Sequence, residues 1–356
     1  METKLLKIDR NHFSERDLLE AGQYLREGKL VAFPTETVYG LGGNAYDATA
    51  SERIYAAKGR PSDNPLIVHI ADTAALKELA AEVPESAYRL AEAFWPGPLT
   101  MILKKSDKVP KTTTGGLDTV AIRMPSDPIA AAMIRCAGVY VAAPSANTSG
   151  RPSTTKAEHV IEDLQGKIDM IIDGGASEIG LESTIVDLTE EVPIILRPGY
   201  ITAEMLEAVL GRVTIDEAIL KRQASENKIA RAPGMKYRHY APNAPLTIVE
   251  GTKEDVVAYI NSRVKKCRQE HALTGVIATE ETEALYEADV VMSVGTRKND
   301  KSIAAGLFDV LRHFDETGVK EIYSESFAES TLGMAIMNRL IKASGYHIVS
   351  ADSGQP

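Results

Sequence analysis

The sequence predicts an α/β protein of two domains, the first built on a twisted mixed sheet and the second on a small parallel sheet. Its 356 residues exceed what one ordinary hydrophobic core accommodates, so two domains are expected. Short apolar runs typical of strands alternate with segments of helical spacing along most of the chain. After about residue 245 the alternation becomes a regular repeat of strand, helix and strand, which is typical of a doubly wound parallel sheet.

The first domain is predicted to extend over residues 1–215. Residues Asp17–Glu27 have leucine and alanine at helical spacing, and Gly28 is a suitable helix stop. Leu30–Phe33 is a short apolar strand that ends at Pro34, because proline cannot donate to a strand ladder. Further strands are predicted at Leu66–Ile70, Leu99–Leu103, Thr119–Arg123, Val139–Ala142, Met170–Asp173, Ser183–Leu188 and Ile194–Gly199. Helices are predicted at Asp72–Ala81, Ala87–Phe94, Asp127–Ala137, Lys156–Leu164 and Ala203–Leu210.

Residues 216–245 are predicted to be a linker. Its second half, RAPGMKYRHYAPNAPL at Arg231–Leu246, is rich in proline and aromatic residues and is predicted to be extended. The second domain, residues 246–356, contains no GxGxxG motif, so no chemistry is assigned to it. Its strands are predicted at Leu246–Val249, Gly275–Ala278, Ala288–Ser293 and Glu321–Tyr323, and its helices at Lys253–Cys267, Ile303–Glu316 and Gly333–Ser344.

Charge and composition exclude several classes of protein. The net charge of −10 argues against a broad electrostatic surface for nucleic acid, so any direct binding of tRNA is expected to be weak or absent. Cys136 and Cys267 lie far apart, without the spacing of a zinc site, which favours a reducing compartment. No signal peptide and no membrane-spanning run is visible. We expect a cytoplasmic protein.

The stretch Phe33–His69 concentrates hydroxyls, glycines and cations between two apolar runs. Thr35, Glu36 and Thr37 emerge at the tip of a strand, and the glycines at 40, 42 and 43 are expected to turn with positive φ or to approach a ligand closely. Lys58 and Arg60 precede a proline-bounded loop. Such donors on a held loop suit phosphate or carboxylate ligands.

Three other strand ends repeat this pattern. Ser145 and Asn147 follow an extended segment, and Arg123 and Arg197 lie at the ends of TVAIR and IILR. Each feature alone is weak, since surface cations and Ser/Asn turns are common. Open α/β sheets bind ligands where strands end, so these loops together predict a cleft for an anionic ligand at one edge of the sheet.

The ordered motifs PTETVYGLG, KGRPSDNPLIVHI, FWPGPLT, VAIRMP, PSANTSGRPS, STIVD and LRPG resemble the threonylcarbamoyl-AMP synthase family. They cover the first domain nearly end to end. HYAP in the linker, followed by an α/β domain, is similar to the two-domain Sua5 form rather than the short YrdC form. The resemblance therefore implies a YrdC-like catalytic domain followed by a small Rossmann-like domain.

This resemblance implies a nucleotidyltransferase that converts L-threonine, bicarbonate or CO2, and ATP to threonylcarbamoyl-adenylate and pyrophosphate. The product would serve a separate transferase complex that forms t6A at position 37 of tRNA. Attack of a carbamate on the α-phosphate accumulates negative charge, so positioning and charge neutralisation matter more than a covalent nucleophile. We expect Mg²⁺ to bridge phosphate oxygens and water, and its protein ligands are unknown.

The resemblance also implies site residues. Lys58, Arg60, Ser145 and Asn147 form the expected catalytic cluster at the nucleotide. Further ATP contacts are implied for Asn64, Thr119, Ser153, Arg197 and Tyr237. Threonine contacts are implied for Thr35, His69, Arg123, Ala143 and Ser183. Arg123 also suits an α-carboxylate physically, because guanidinium binds carboxylate with two donors.

Several alternatives stay open from the residues alone. His69 in an apolar strand also fits an ordinary core histidine, and Glu36 fits a base, a metal ligand or a structural carboxylate. Tyr237, Arg238, His239 and Tyr240 are predicted either to close over the nucleotide as a lid or only to dock the two domains. At the level of function, the alternatives are an RNA-binding module without synthase activity and another ATP-dependent ligase or carbamoyl-transfer enzyme.

Overall fold

The computed structural model describes residues 1–222, 231–233, 239–327 and 332–353. Within these ranges the chain forms two compact units. The first gathers most residues up to Lys221 together with 231–233, and the second gathers 150–152, 222 and the described residues from 239 onward. Both are α/β, and the predicted combination of a mixed sheet with a parallel sheet is confirmed.

In the described part of the first unit, eleven strands form one mixed sheet. They are β1 (Lys4–Lys7), β2 (Val31–Phe33), β3 (Gly40–Asn44), β4 (Ile67–His69), β5 (Leu99–Lys104), β6 (Thr119–Arg123), β7 (Val141–Ala143), β8 (Met170–Asp173), β9 (Thr184–Asp187), β10 (Ile194–Arg197) and β11 (Thr214–Ile215). Their order across the sheet is β1-β8-β2-β3-β7-β4-β6-β5-β9-β10-β11. The central strands β4, β6, β5 and β9 pair parallel, antiparallel and parallel in turn.

Eight helices accompany this sheet within the described residues. They are α1 (Leu19–Arg26), α2 (Ala48–Lys58), α3 (Leu76–Leu79), α4 (Glu85–Phe94), α5 (Pro128–Ala137), α6 (Ala157–Leu164), α7 (Ala203–Leu210) and α8 (Glu217–Leu220). Local sequence fixes the ends of α5: the Asp127 side chain accepts from two amides of the first turn, proline opens the helix, and Gly138 ends it at φ 59°.

The two faces of the sheet are buried differently. Side chains alternate along each strand, so Val68, Ile122 and Met101 lie on one face, in the main core with residues of α4, α6 and α7. On the other face, strands β1, β8, β2 and β7 pack on α1 and α5. Beyond them, on β4, β5, β6, β9 and β10, that second face carries a small apolar cluster of Ile67, Ile102, Ala121, Ile185 and Leu196, and Ala232 of the predicted linker belongs to the same cluster.

The prediction for the glycine-rich stretch was wrong in one respect. Residues Gly40–Asn44 form β3, and the glycines at 40, 42 and 43 do not adopt positive φ. They are small because neighbouring side chains pack closely on the strand. A Cβ at Gly42 would lie 2.7 Å from Val141 Cγ1 and 3.0 Å from the Phe33 ring. The glycines therefore serve packing within the sheet rather than a turn.

The second unit contains a five-stranded sheet within its described residues. Its strands are β12 (Leu246–Glu250), β13 (Thr274–Ala278), β14 (Val290–Ser293), β15 (Glu321–Glu325) and β16 (Ile348–Ser350), and its helices are α9 (Lys253–Gln269), α10 (Asp300–Thr317) and α11 (Gly333–Ala343). All pairings are parallel in the order β14-β13-β15-β12-β16. On one face, Val256, Ile260 and Val264 of α9 pack on apolar residues of the sheet.

Among the described residues, no helix is both long enough and apolar enough to cross a bilayer.

Candidate active site

Lys58, the last residue of α2, organises the loop that follows β7. Gly59 ends the helix in the left-handed region at φ 62°, and the lysine side chain is only 1% exposed. Its Nζ donates to the backbone carbonyls of Ser145, at 2.6 Å, and of Asn147. In return, the amide of Ser149 donates to the Lys58 carbonyl at 2.8 Å. A buried cation thus holds the loop in shape.

The side chains of that loop are bonded to one another. Ser145 Oγ donates to Asn147 Oδ1 at 2.5 Å, and Asn147 Nδ2 donates to the carbonyl of Thr148 at 2.8 Å. The loop is also joined to the sheet, because Ser145 forms a bridge with Gly40 at the start of β3. The predicted association of Lys58, Ser145 and Asn147 therefore exists as a hydrogen-bonded cluster.

Arg60 braces the proline-bounded loop before β4. Its Nε donates to the carbonyl of Asn64 at 3.3 Å and its Nη2 to that of Pro65 at 3.2 Å. Asn64 is buried, and within the described part of the chain its Oδ1 has no hydrogen-bond partner. Thr119 is half-buried and begins β6. Register places it near this loop, since Ala121, two residues further along, lies opposite Ile67.

A second group of predicted residues lies toward the opposite end of the same strands. His69 lies opposite Arg123 in register, and Thr100 of β5 lies opposite Arg123 on its other side. Arg123 Nη2 donates to Glu36 Oε1 at 2.6 Å, and both side chains are less than a tenth exposed. Arg123 Nε reaches the carbonyl of Gly97 at 3.4 Å. The guanidinium is therefore oriented by a carboxylate from the β2–β3 loop.

His69 is a neutral histidine. Burial, and to a smaller extent the positive charge of Arg123, lower the pKa of His69 to about 3. Its Nδ1 lies 3.1 Å from the carbonyl of Ile67, and its ring meets the Phe33 ring edge to face at 5.9 Å between centroids. Because the imidazole is uncharged at neutral pH, Arg123 supplies the positive charge at this position.

Arg197 and Ser183 are joined directly. Arg197 Nε donates to the Ser183 carbonyl at 2.9 Å, and Nη2 donates to Ser183 Oγ at 3.1 Å. Ser183 Oγ is in turn 2.7 Å from Thr100 Oγ1. All three side chains are buried. The arginine predicted for ATP and the serine predicted for threonine therefore form one network through which Thr100 reaches the neighbourhood of Arg123.

Two predicted residues have their hydroxyls engaged by nearby protein groups. Thr35 Oγ1 donates to the carbonyl of Val38 at 2.6 Å and accepts from the amides of Thr37 and Val38. Ser153 Oγ donates to Glu182 Oε1 at 2.5 Å. Thr35 therefore shapes its own turn, and Ser153 joins the loop before β9 to the segment after Asn147.

The predicted single sheet edge is not what the structure shows. Ser145 and Thr119 lie toward one end of the central strands, and Arg123, His69 and Ser183 lie toward the other. Thr119 and Arg123 are four residues apart in β6, which corresponds to roughly 13 Å. Both share the face that carries Ala143, Ile67 and Ala121. The loops that were expected to meet at an edge instead bracket one face.

Sequence reasoning missed two contributors to these networks, Thr100 and Glu182. Thr100 is the last residue of the FWPGPLT motif, and Glu182 directly precedes STIVD. A polar residue at the start of an apolar strand was the available signal for Thr100. Glu36 was considered, but its partner Arg123 lies 87 residues away and only the folded sheet reveals it.

Three further observations bear on the site. Tyr237 and Arg238 lie outside the described residues, so the predicted lid is not tested at those positions. Ala232, upstream of them, is fully buried in the apolar cluster of the site face, and Arg231 contacts Asp187 at 3.2 Å. Among the described residues, no group of three or more His, Cys, Asp or Glu side chains is arranged to hold a metal ion.

Comparison with protein families gives two matches that cover successive parts of the chain. A model described as "Telomere recombination", whose name joins Sua5, YciO and YrdC, matches residues 23–199. A model described as "Threonylcarbamoyl-AMP synthase, C-terminal domain" matches residues 201–345.

Whole-length relatives agree with these matches. A threonylcarbamoyl-AMP synthase of Pyrococcus abyssi is 51% identical, covering 96% of this chain and 97% of the relative. One of Bacillus subtilis is 49% identical, covering 98% and 100%. The crystal structure of P. abyssi Sua5 complexed with L-threonine matches with a TM-score of 0.92 and 49% identity, covering 98% of this chain and 99% of that one. The chain therefore belongs to the threonylcarbamoyl-AMP synthase family, in its two-domain Sua5 form.

Proposed function

We propose that the chain is a nucleotidyltransferase that forms L-threonylcarbamoyl-adenylate and pyrophosphate from L-threonine, bicarbonate or CO2, and ATP. The product is proposed to enter the pathway to t6A at position 37 of tRNA. Membership of the family over the whole chain supports this activity. The comparisons do not favour the alternative of an RNA-binding module without synthase activity.

The observation that carries the proposal is the face of the sheet bracketed by two polar groups. One group consists of Lys58, Arg60 and the Ser145–Asn147 loop, and the other contains Arg123 and the Arg197–Ser183 pair. Their separation, roughly 13 Å along β6, suits a substrate pair in which a nucleoside triphosphate meets a small amino acid. Positioning two reactants on one rigid face is what a reaction without a covalent nucleophile requires.

At the Lys58 end we propose the ATP contacts. Lys58 and Arg60 place positive charge beside a loop whose shape Lys58 itself maintains, so both neutralisation and positioning depend on the lysine. Asn64 and Thr119 lie toward the same end. No described residue forms a hydrogen bond with Oδ1 of Asn64, which is a suitable acceptor for a nucleotide amino group. Ser153, Arg197 and Tyr237 remain proposals from the family resemblance.

At the Arg123 end we propose the threonine contacts. Arg123 supplies the donor for the α-carboxylate, while neutral His69 and the small Ala143 shape the neighbouring surface. Ser183 is held by Arg197 in a position to bond a polar group of the amino acid. Thr35, whose hydroxyl is engaged in its own turn, is proposed to act through the shape of that turn.

Magnesium is proposed to enter with the triphosphate. Mg²⁺ in nucleotide sites is commonly held by phosphate oxygens and water with few protein carboxylates. Binding of Mg²⁺ mainly through phosphate and water is consistent with the described residues, among which no cluster of three or more His, Cys, Asp or Glu ligands is found. The ion would neutralise phosphate charge, while Lys58, Arg60 and the Ser145–Asn147 loop would orient the triphosphate.

The remaining proposals concern organisation and partners. We propose a catalytic domain over residues 1–215, a linker over 216–245 and a C-terminal α/β domain over 246–356, which is supported by the start of β12 at Leu246. The labile adenylate is proposed to pass to downstream t6A transferase proteins, with weak or no direct tRNA binding because the net charge is −10. Two free cysteines support residence in a reducing, cytoplasmic compartment.

The decisive experiment measures pyrophosphate release by the full chain with ATP, bicarbonate and one amino acid at a time, together with mass spectrometry of the product. Threonine is expected to give release that depends on bicarbonate and a product with the mass of threonylcarbamoyl-adenylate. Serine, which lacks one methyl group, is expected to be poorer by about 10- to 200-fold in kcat/KM. Release independent of the amino acid and of bicarbonate would overturn the proposal.

A further inference from the structure

Glu36 is a buried carboxylate whose two oxygens have different surroundings. It lies in the loop between β2 and β3, and its side chain is 7% exposed. Oε1 accepts from Arg123 Nη2 at 2.6 Å. Oε2 is also buried, and no described residue forms a hydrogen bond with it. A buried charged oxygen without a donor is unfavourable, so its presence beside a substrate site requires an explanation.

Three groups near Glu36 in the sequence or in the Arg123 network are engaged elsewhere. The carbonyl of Glu36 accepts from the amide of Ile179 at 2.9 Å, which fixes the backbone. The hydroxyl of the preceding residue, Thr35, donates to the carbonyl of Val38. His69 is neutral, and its Nδ1 is bonded to a backbone carbonyl. The missing donor to Oε2 is therefore one that a ligand can supply.

The Glu36–Arg123 pair is complementary in charge to an α-amino acid. An amino acid carries a carboxylate and an ammonium group on one carbon, about one hydrogen-bond length apart, and the protein pair presents a guanidinium and a carboxylate 2.6 Å apart. Arg123 is held at Nε and Nη2, and no described residue forms a hydrogen bond with its Nη1. A substrate carboxylate at Arg123 Nη1 and a substrate amino group at Glu36 Oε2 would supply the hydrogen-bond partners that these two atoms lack among the described residues.

We infer that Glu36 is a substrate-binding residue that accepts a hydrogen bond from the amino group of the amino acid through Oε2. This inference rests on the proposed function, because it deepens the recognition of threonine at the Arg123 end. It assigns Glu36 a contact with the substrate in addition to its contact with Arg123. It also makes a free α-amino group, and not only a carboxylate, a condition for binding.

The test compares two ligands on the full chain by ligand-observed NMR titration, which measures binding without turnover. The ligands are L-threonine and 3-hydroxybutanoate, which is threonine without its amino group. For Glu36→Gln, threonine affinity is expected to fall about 10- to 100-fold, since a charged hydrogen bond is lost. Affinity for 3-hydroxybutanoate is expected to stay the same or to increase, because the negative charge beside Arg123 is gone.

A purely positioning role gives a different result. If Glu36 only orients Arg123, the substitution weakens both ligands by the same factor, and that outcome overturns the inference, as does unchanged threonine affinity. Glu325→Gln is the matched control, since Glu325 is a buried glutamate paired with an arginine, Arg297, in the second unit. It is expected to leave both affinities unchanged.

Two further measurements keep the outcomes separate. If Glu36→Gln does not fold, Glu36→Asp keeps the charge on a shorter side chain and must weaken threonine more than 3-hydroxybutanoate; equal weakening overturns the inference. Failure of the unmodified chain to bind threonine at all would overturn the proposed function together with this inference. Threonine binding that persists unchanged in the Glu36 variants overturns the role of Glu36 alone.

Discussion

Replacing Thr100 with valine removes one hydroxyl from the network that holds Ser183, with little change in side-chain volume. Thr100 Oγ1 lies 2.7 Å from Ser183 Oγ, and Arg197 Nη2 lies 3.1 Å from the same oxygen. The variant therefore leaves Ser183 with its arginine donor but without the partner that fixes its rotation. The lost bond is between neutral groups, so the expected cost in stability is about 1 kcal/mol. For a unit of this size, that corresponds to a decrease in Tm of roughly 2–4 °C.

The effect on activity follows from the position of Thr100 opposite Arg123 in register. If Ser183 contacts the amino acid as proposed, loss of its orientation weakens threonine binding by a comparable free energy, so KM for threonine is expected to increase about fivefold. The KM for ATP is expected to change by less than about twofold. Any general structural effect of the substitution acts on both substrates, whereas the lost orientation of Ser183 acts on threonine. Steady-state pyrophosphate release with each substrate varied in turn measures both constants.

Thr184→Val is the matched control. Thr184 is also a buried threonine with an internal hydrogen bond, from Oγ1 to the carbonyl of Ile201 at 2.6 Å. It alternates with Ser183 along the chain, so its side chain lies on the opposite face of the sheet. The variant is expected to lose about 1–2 kcal/mol of stability with an unchanged KM for threonine. An unchanged KM in Thr100→Val, or an equal increase in Thr184→Val, would refute the argument that Thr100 supports the threonine site.

Three other predictions concern different parts of the site. Because the pKa of His69 is about 3 in the folded chain but about 6.5 when unfolded, the unfolded state binds more protons as the pH falls below 7, and stability is lost. Between pH 7 and pH 5, this residue is expected to lower the free energy of unfolding by about 2 kcal/mol. The decrease in Tm over that range should therefore be smaller in His69→Gln than in the unmodified chain, and equal decreases would contradict the prediction. Gly199→Ala places a Cβ 2.5 Å from the Thr184 amide nitrogen and 2.8 Å from the Ser183 carbonyl carbon, so thermal melts should show a cost of about 1–3 kcal/mol and the KM for threonine should increase. Gly59→Ala, which has open space at the Cβ but is strained by its φ of 62°, should also lower stability and yet keep the KM for threonine. Lys58→Met leaves two buried carbonyls without their cation. Pyrophosphate release should therefore fall at least about 100-fold, while threonine affinity, measured by NMR titration, changes little. Unchanged release would contradict the role of Lys58 in positioning the loop.

Much of the fold was predictable because local patterns determined it. The strands predicted at Thr119–Arg123 and Met170–Asp173 and the helix at Ala203–Leu210 have the observed limits. These segments have strong apolar periodicity and clear stops, so tertiary context did not alter them. The same patterns distinguished the mixed sheet from the parallel one.

Elements that depend on distant partners were missed. Strand β1 at Lys4–Lys7 has charged ends and is mostly exposed, and it becomes a strand because it pairs with β8, more than 160 residues later. Strand β3 consists largely of glycine, which has low strand propensity, and it forms because the packing between Phe33 and Val141 admits no Cβ there. Single-sequence reasoning has no access to either cause.

The candidate site was predictable as a list of residues but not as a set of contacts. Lys58, Ser145 and Asn147 were expected near one another, and the structure joins them through backbone carbonyls of the loop rather than through a shared ligand. Arg123 was expected to be available as a carboxylate donor, yet it already holds Glu36. Such pairings depend on strand register and on how a loop folds over a sheet face, which motifs do not encode.

Each central strand contributes alternating residues to the site face and to the main core, so the register of these strands determines both. In β6, Ala121 and Arg123 lie on the site face while Val120 and Ile122 lie in the main core, and β5 alternates in the same way. A slip of one residue between these strands would move Arg123 into the apolar core and expose its neighbours. Substitutions on the strands should therefore change stability and substrate affinity together. Loop residues that contact the substrate should instead show a larger change in affinity than their change in stability explains, and this difference separates residues that bind substrate from residues that hold the sheet.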